Sequence, residues 1–244
     1  MRSVLVDAWR LVVPPRGDRN GPLSPLLLGL TVLTGLVDAF SYLVLGHVFV
    51  ANMTGNVVFL AFAVGGAAGF SVAASIVALA AFGVGALGGG RLIAARGGHR
   101  GQLLAIGTGL EAALVATAMI IGLVASRPGV GSPRYWLIGL LGMAMGLQNA
   151  TVRKLAVPDL TTTVLTLTIT GAAADSRLAG GPGSKLGRRT LSVLCVFLGA
   201  LFGSLLIVGG SSATTLVLAL LAAGGVAAGA TLVSRPHSSW AAPA

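Results

Sequence analysis

The sequence predicts an all-α fold: a polytopic helical membrane protein of about six crossings plus two interrupted or re-entrant segments, arranged as two inverted repeats. Three observations lead there. Of the 244 residues, 55% are hydrophobic and only 9% charged, against about a quarter charged in an ordinary soluble domain. Six acidic and sixteen basic side chains cannot cover a water-facing surface of this size, so that surface belongs in lipid. The mean hydropathy of +0.93 and the 37 glycines agree, since glycine is frequent in membrane helices and lets backbones approach closely. Finally, eight apolar segments follow one another at approximately 26–46, 48–69, 71–90, 102–125, 135–152, 155–174, 190–209 and 214–233.

Crossing the hydrocarbon core takes about 20 apolar residues, and two of the eight segments are compromised. The second opens with Asn52-Met53-Thr54-Gly55-Asn56, and the sixth carries Pro158, Asp159 and a ladder of threonines. Positive charge arbitrates between eight crossings and six. With eight and a cytoplasmic N-terminus, eleven Lys plus Arg lie inside and five outside. If the second and sixth segments each enter and leave on one side, fourteen lie inside and only Arg127 and Arg134 outside, which obeys the positive-inside rule better. Both termini are then cytoplasmic.

Residues 1–25 form a cytoplasmic N-terminal segment in which Val4, Leu5, Ala8, Trp9 and Val12 recur at helical spacing among arginines, a pattern suited to the membrane surface. Asp7, Arg10 and Pro14-Pro15 interrupt it too early for a cleavable signal peptide. Residues 26–235 form a single membrane domain, and 236–244 a tail. The formal charge of +10 comes from short clusters between apolar runs and not from a continuous stripe, so no nucleic-acid partner is expected. The single cysteine, Cys195, lies in an apolar stretch and reads as a small buried hydrophobe.

The two compromised segments occupy matching places. Gly35-Leu36-Val37-Asp38-Ala39 aligns with Gly146-Leu147-Gln148-Asn149-Ala150 at an offset of 111, and the 52–56 run with 164–168 at 112. The third and fourth segments then fall near the seventh and eighth, which divides the chain into repeats at 26–125 and 135–235. Three crossings per half make the second copy inverted. Interrupted segments at corresponding places of inverted repeats point to a transport site near the bilayer midplane.

Within the first span, Thr31, Thr34, Asp38 and Ser41 form a polar stripe with Tyr42 beside it. An intramembrane carboxylate is costly unless it faces protein or water, so Asp38 points into the bundle, either as a proton or cation site or as an acceptor for a neighbouring broken segment. Asn52, Thr54 and Asn56 supply amides and a hydroxyl around the flexible Gly55. They read either as ligands for an ion or polar solute or as a capped helix start packed on Asp38. Their counterparts are Gln148 and Asn149, with Thr162 and Thr166 on one helical face. The substrate-binding candidates are thus Asp38, Tyr42, Asn52, Thr54, Asn56, Gln148, Asn149, Thr162 and Thr166. Glu111, mid-way along the fourth segment, is a second intramembrane carboxylate; sharing a cavity with Asp38 would make both proton-coupling candidates, and meeting an arginine would make it structural.

Other motifs are bland. Gly85/Gly89, Gly142/Gly146, Gly199/Gly203 and Gly225/Gly229 are small-xxx-small pairs for helix association. The glycine-rich run at 180–185 lacks the order and the preceding strand of a phosphate loop. No hydrolase or zinc motif is present and the three histidines are scattered, so neither enzymatic activity, a metal nor a cofactor is expected.

The runs Gly35-Leu36-Val37-Asp38-Ala39-Phe40-Ser41-Tyr42-Leu43 and Gly46-His47-Val48-Phe49-Val50-Ala51-Asn52-Met53-Thr54-Gly55-Asn56 resemble the YoaK family of small bacterial multi-pass membrane proteins, a domain of unknown function. Met145-Gly146-Leu147-Gln148-Asn149-Ala150 and Thr162-Thr163-Val164-Leu165-Thr166 are similar to its second signature, although Leu167 stands where the family usually carries glycine. The resemblance implies an inner-membrane location and brings no substrate. The function expected from the residues is a secondary transporter or permease for a small polar or charged solute. The alternative is a non-transporting assembly or regulatory protein whose polar belt is structural. The expected partners are the lipid bilayer and an unidentified solute, with homo-oligomerisation left open.

Overall fold

Long apolar runs punctuated by turn residues become long helices, and the computed structural model shows where each one starts and stops. It describes residues 2–15, 17–18, 20–125, 127–158, 160, 165–175, 179–181, 186–234 and 240. Among them are nine helices and no strand: α1 (Arg2–Val12), α2 (Leu23–Val44), α3 (Met53–Val64), α4 (Val72–Arg96), α5 (Arg100–Val124), α6 (Ser132–Leu155), α7 (Leu165–Ala174), α8 (Leu186–Val208) and α9 (Ser212–Val233). Side chains cap the starts: Ser71 Oγ accepts the Ala74 N–H of α4, and His99 Nδ1 accepts the Gln102 N–H of α5. Pro133 opens α6, and its last turn carries Arg153 and Lys154 next to the negative end of the helix dipole.

Five helices, α2, α4, α5, α8 and α9, are long and apolar enough to cross a membrane. At 22 to 25 residues each they reach about 33 to 38 Å, against a hydrocarbon core of about 30 Å. Helix α6 has the length, 24 residues, but not the apolar composition, because it carries Arg134, Gln148, Asn149, Arg153 and Lys154. This is a polytopic helical membrane protein. Its outer faces confirm the solvent, with Val84, Leu87, Ile120, Leu123, Leu205 and Leu221 all exposed.

Helices α2 and α6 are the inner pair. Helix α2 packs between α8 and α9, and α6 between α4 and α5, while α5 packs on α9. Backbones meet at glycine. A Cβ on Gly35 would collide with the Val196 carbonyl, and one on Gly199 with the Val32 carbonyl. The same contact recurs across the molecule, where a Cβ on Gly146 would meet the Phe82 carbonyl and one on Gly85 the Met143 carbonyl. Gly229 packs against Leu26, but a Cβ on Gly225 would meet open space, so that predicted association pair contributes one residue.

The contacts also give directions. Gly142 meets Ala78 and Ala81, and Gly89 meets Ala150, so α4 and α6 run parallel; Gly199 meets Val32 and Gly203 meets Ala39, so α2 and α8 do as well. Gly107 against Thr151 with Arg100 against Leu155 makes α5 antiparallel to α6, and Gly29 against Val226 with Gly229 against Leu26 makes α2 antiparallel to α9.

The 12-residue α3 and the 10-residue α7 are about 18 and 15 Å long, too short to span. His47 Nδ1 lies 2.9 Å from the Gly69 carbonyl oxygen, which brings the two ends of the segment around α3 together. That segment begins and ends at one end of the bundle. At the opposite end, Arg100 is buried and donates to the Leu155 carbonyl at 2.8 Å and to Asn20 Oδ1 at 3.2 Å, tying α5 to the end of α6 and to the N-terminal loop. Helix α1 lies on α8 and α2 with Leu11 buried and Trp9 and Val12 exposed.

Candidate functional site

Between α2 and α3 the chain leaves helical geometry where Val48, Val50 and Ala51 are buried, so unpaired N–H groups would be costly, and two side chains repair it. The Val50 and Ala51 N–H groups donate to Asp38 Oδ1 at 3.2 and 3.0 Å. One residue earlier, the Phe49 N–H donates to Asn56 Oδ1 at 2.9 Å while Asn56 Nδ2 donates to the Phe49 carbonyl at 2.6 Å. Three consecutive backbone N–H groups are therefore satisfied by side chains that flank the break in sequence. Asn52 caps α3 by accepting the Gly55 N–H at 3.2 Å. Gly55 itself faces the Phe49 ring, 2.9 Å from where a Cβ would sit.

Along the stripe on α2, Thr31 and Thr34 donate back to the carbonyls of Leu27 and Leu30 at 2.8 and 3.0 Å. Thr34 also accepts from Gln148 Nε2 at 3.0 Å, which joins the inner helices α2 and α6 through a buried pair. Asn149 Nδ2 donates to the Met145 carbonyl at 2.9 Å.

A cavity of about 1050 Å³ opens among these elements. Its polar lining is Thr34, Asp38 and Tyr42 from α2, Asn52 and Thr54 at the start of α3, Asn149 from α6, Thr166 from α7 and Ser204 from α8. The apolar lining includes Phe49, Phe59, Phe82 and Phe197. Six of the residues singled out in sequence thus share one cavity: Asp38, Tyr42, Asn52, Thr54, Asn149 and Thr166. Asn56 and Gln148 stand behind it, both buried. Asn56 holds Phe49 and Gln148 holds Thr34, so each supports a lining residue. Thr162 lies outside the described residues, as do Asp159 and the run at 182–185.

Glu111 does not join them. It is wholly buried on α5, one turn beyond the Gly107–Thr151 contact, and it does not line the cavity. Among the described residues neither of its carboxylate oxygens has a hydrogen-bond partner, so the arginine pairing considered from sequence is not made.

The cavity also recruits residues that sequence reasoning passed over, namely Phe82, Phe197 and Ser204. Phe197, Leu201 and Ser204 are spaced i, i+4, i+7 along α8, one helical face with a hydroxyl at its end, and that spacing was a readable signal hidden by the neighbouring glycine pair.

The family described as a protein of unknown function, DUF1275, matches residues 26–240 of the chain. The chain belongs to the DUF1275 family. It is also similar to the UPF0700 transmembrane protein YoaK of Bacillus subtilis (strain 168), with 35% identity over 150 residues, 61% of this chain and 65% of that protein. The match thus spans just under two thirds of that relative's length. No solved structure matches. The motifs that carried the resemblance in sequence, around Asp38 and Asn56 and around Gln148, are the ones that build the latch and the inner helix contact of this DUF1275 chain.

Proposed function

We propose that this DUF1275 chain is a secondary transporter or permease for a small polar or charged solute, built from two inverted halves in a bacterial inner membrane with both termini cytoplasmic. The observation that carries the reading is the cavity, to which the first half contributes Asp38, Asn52 and Thr54 and the second Asn149, Thr166 and Ser204. Polar side chains from both halves around one opening within the spans are what a solute site needs. The helix directions support the inversion: α2 parallels α8 and α4 parallels α6, and the contacts of Gln148 with Thr34 and of Arg134 with Gly46 set α2 antiparallel to α6, so equivalent helices of the two halves are opposed. In this reading α6 joins the five apolar helices as a sixth crossing and α3 and α7 do not cross, a topology that leaves fourteen basic residues on the cytoplasmic side. Asp38 is the proton-exchanging group of this scheme, and Glu111, which does not line the cavity, takes no part in it.

Reconstitution tests it. Asp38→Asn in proteoliposomes is expected to abolish a pH-dependent solute flux while the protein stays folded, because Asn retains an Oδ1 to accept from Val50 and Ala51. Wild-type flux in that variant would contradict the role given to Asp38. A second reading, an assembly or regulatory protein whose polar belt is internal glue, draws on Asn56, Gln148 and Asp38 Oδ1 all being engaged within the chain. It predicts that no solute in a broad panel raises the unfolding temperature in detergent, whereas the permease reading predicts that one does.

A further inference from the structure

The cavity's lining has a chemical sign. Among the described residues, Asp38 is its one ionisable carboxylate and no lysine, arginine or histidine lines it. Oδ1 is committed to the Val50 and Ala51 N–H groups, and no described residue donates to Oδ2. One turn along the same face of α2 stands Tyr42, whose ring stacks on Phe49 at 5.0 Å and 26° and lies 6.0 Å from Phe59; Phe49 and Phe59 are 5.6 Å apart. All three ring residues line the same cavity as Asp38.

A carboxylate with an oxygen unclaimed by any described residue, in one cavity with a cluster of aromatic rings, is the arrangement that recognises an organic cation, with the charge met by the carboxylate and the alkyl groups lying against the rings. The start of α3 also borders the cavity and carries about half a positive charge. The ionised form of Asp38 carries a full negative charge that outweighs it, and Asn52 already occupies the Gly55 N–H that would face an anion. Resting on the reading of this cavity as a solute site, we propose that its ligand bears an organic ammonium group, seated between Asp38 and the rings of Tyr42, Phe49 and Phe59. The ammonium could be carried by a soluble amine or by a lipid headgroup, and the chemistry at the site is the same.

The test is equilibrium binding to the full chain in phosphatidylglycerol nanodiscs, with tetramethylammonium as probe and tert-butanol and trimethylacetate as its neutral and anionic counterparts of similar shape. The cation is expected to bind at least about tenfold more tightly than either. Asp38→Asn should weaken it about tenfold or more. Phe59→Leu, which leaves the Asp38 latch untouched, should weaken it about threefold to tenfold. Equal affinity for the three probes, preference for the anion, or retention of cation binding in both variants would overturn the proposal. Adding phosphatidylethanolamine separates the sources: competition with tetramethylammonium assigns the site to a headgroup, and no competition to a soluble amine, the ammonium assignment standing in either case. Cation binding without flux in proteoliposomes would defeat the permease reading alone, and flux of a solute lacking positive charge, with no cation binding, would defeat this proposal alone.

Discussion

Asp38 on α2 and Glu111 on α5 carry the same functional group inside long apolar helices, and the chain surrounds them differently. Asp38 anchors two backbone N–H groups of a broken segment and borders a cavity with its other oxygen unclaimed by any described residue. Glu111 is wholly buried with neither oxygen partnered among the described residues, away from that cavity. A carboxylate that replaces water for a helix break contributes to folding as well as to a site, whereas one buried without a partner only costs stability. The type of residue is therefore a poor guide to its role until its backbone neighbours are known.

Substitutions can break or sharpen this contrast. The largest effect is expected from Asp38→Leu, which leaves the buried Val50 and Ala51 N–H groups unsatisfied and should cost about 2 to 5 kcal/mol. Thermal unfolding in detergent reads the loss, with faster amide exchange confined to residues 50 and 51; an unchanged unfolding temperature would erase the distinction between the two acids. Asn56→Ala removes both bonds to Phe49 and should cost about 1 to 3 kcal/mol in the same assay. Glu111→Met discards a buried polar group that no described residue satisfies, so stability is expected to hold or rise by about 1 kcal/mol; a fall comparable to that of Asp38→Leu would show that Glu111 is held after all. Smallest is Gln148→Leu, which loses the bond to Thr34 but also an Oε1 that has no partner among the described residues. Its net effect should stay within about 1 kcal/mol, since Thr34 still donates to Leu30.

Much of this was legible in the amino-acid order because lipid enforces simple rules. The lengths of α2, α4, α5, α8 and α9 follow from the bilayer's thickness. The shortness of α3 follows from polar residues placed where a span would otherwise begin, and Asn52 as its cap follows from capping chemistry. The glycine pairs at 85/89, 142/146 and 199/203 pack where helix association required them. The partners of each polar side chain were not legible. Nothing in the spacing of Asn56 and Phe49 announces a double hydrogen bond across seven residues, because non-helical backbone has no fixed period. The aromatic lining was equally hidden, since Phe82 and Phe197 sit in apolar runs where any large hydrophobe serves the lipid face as well.

The central claim is that Asn149, on the inner helix α6, borders a water-accessible opening shared by both halves while Glu111, on α5, is sealed from it. With Cys195 replaced by alanine, Asn149→Cys and Glu111→Cys can be exposed in bilayers to a small, uncharged, water-soluble thiol reagent. The account predicts modification at 149 and none at 111. Protection at 149 equal to that at 111 would contradict it, leaving a dry bundle with no site.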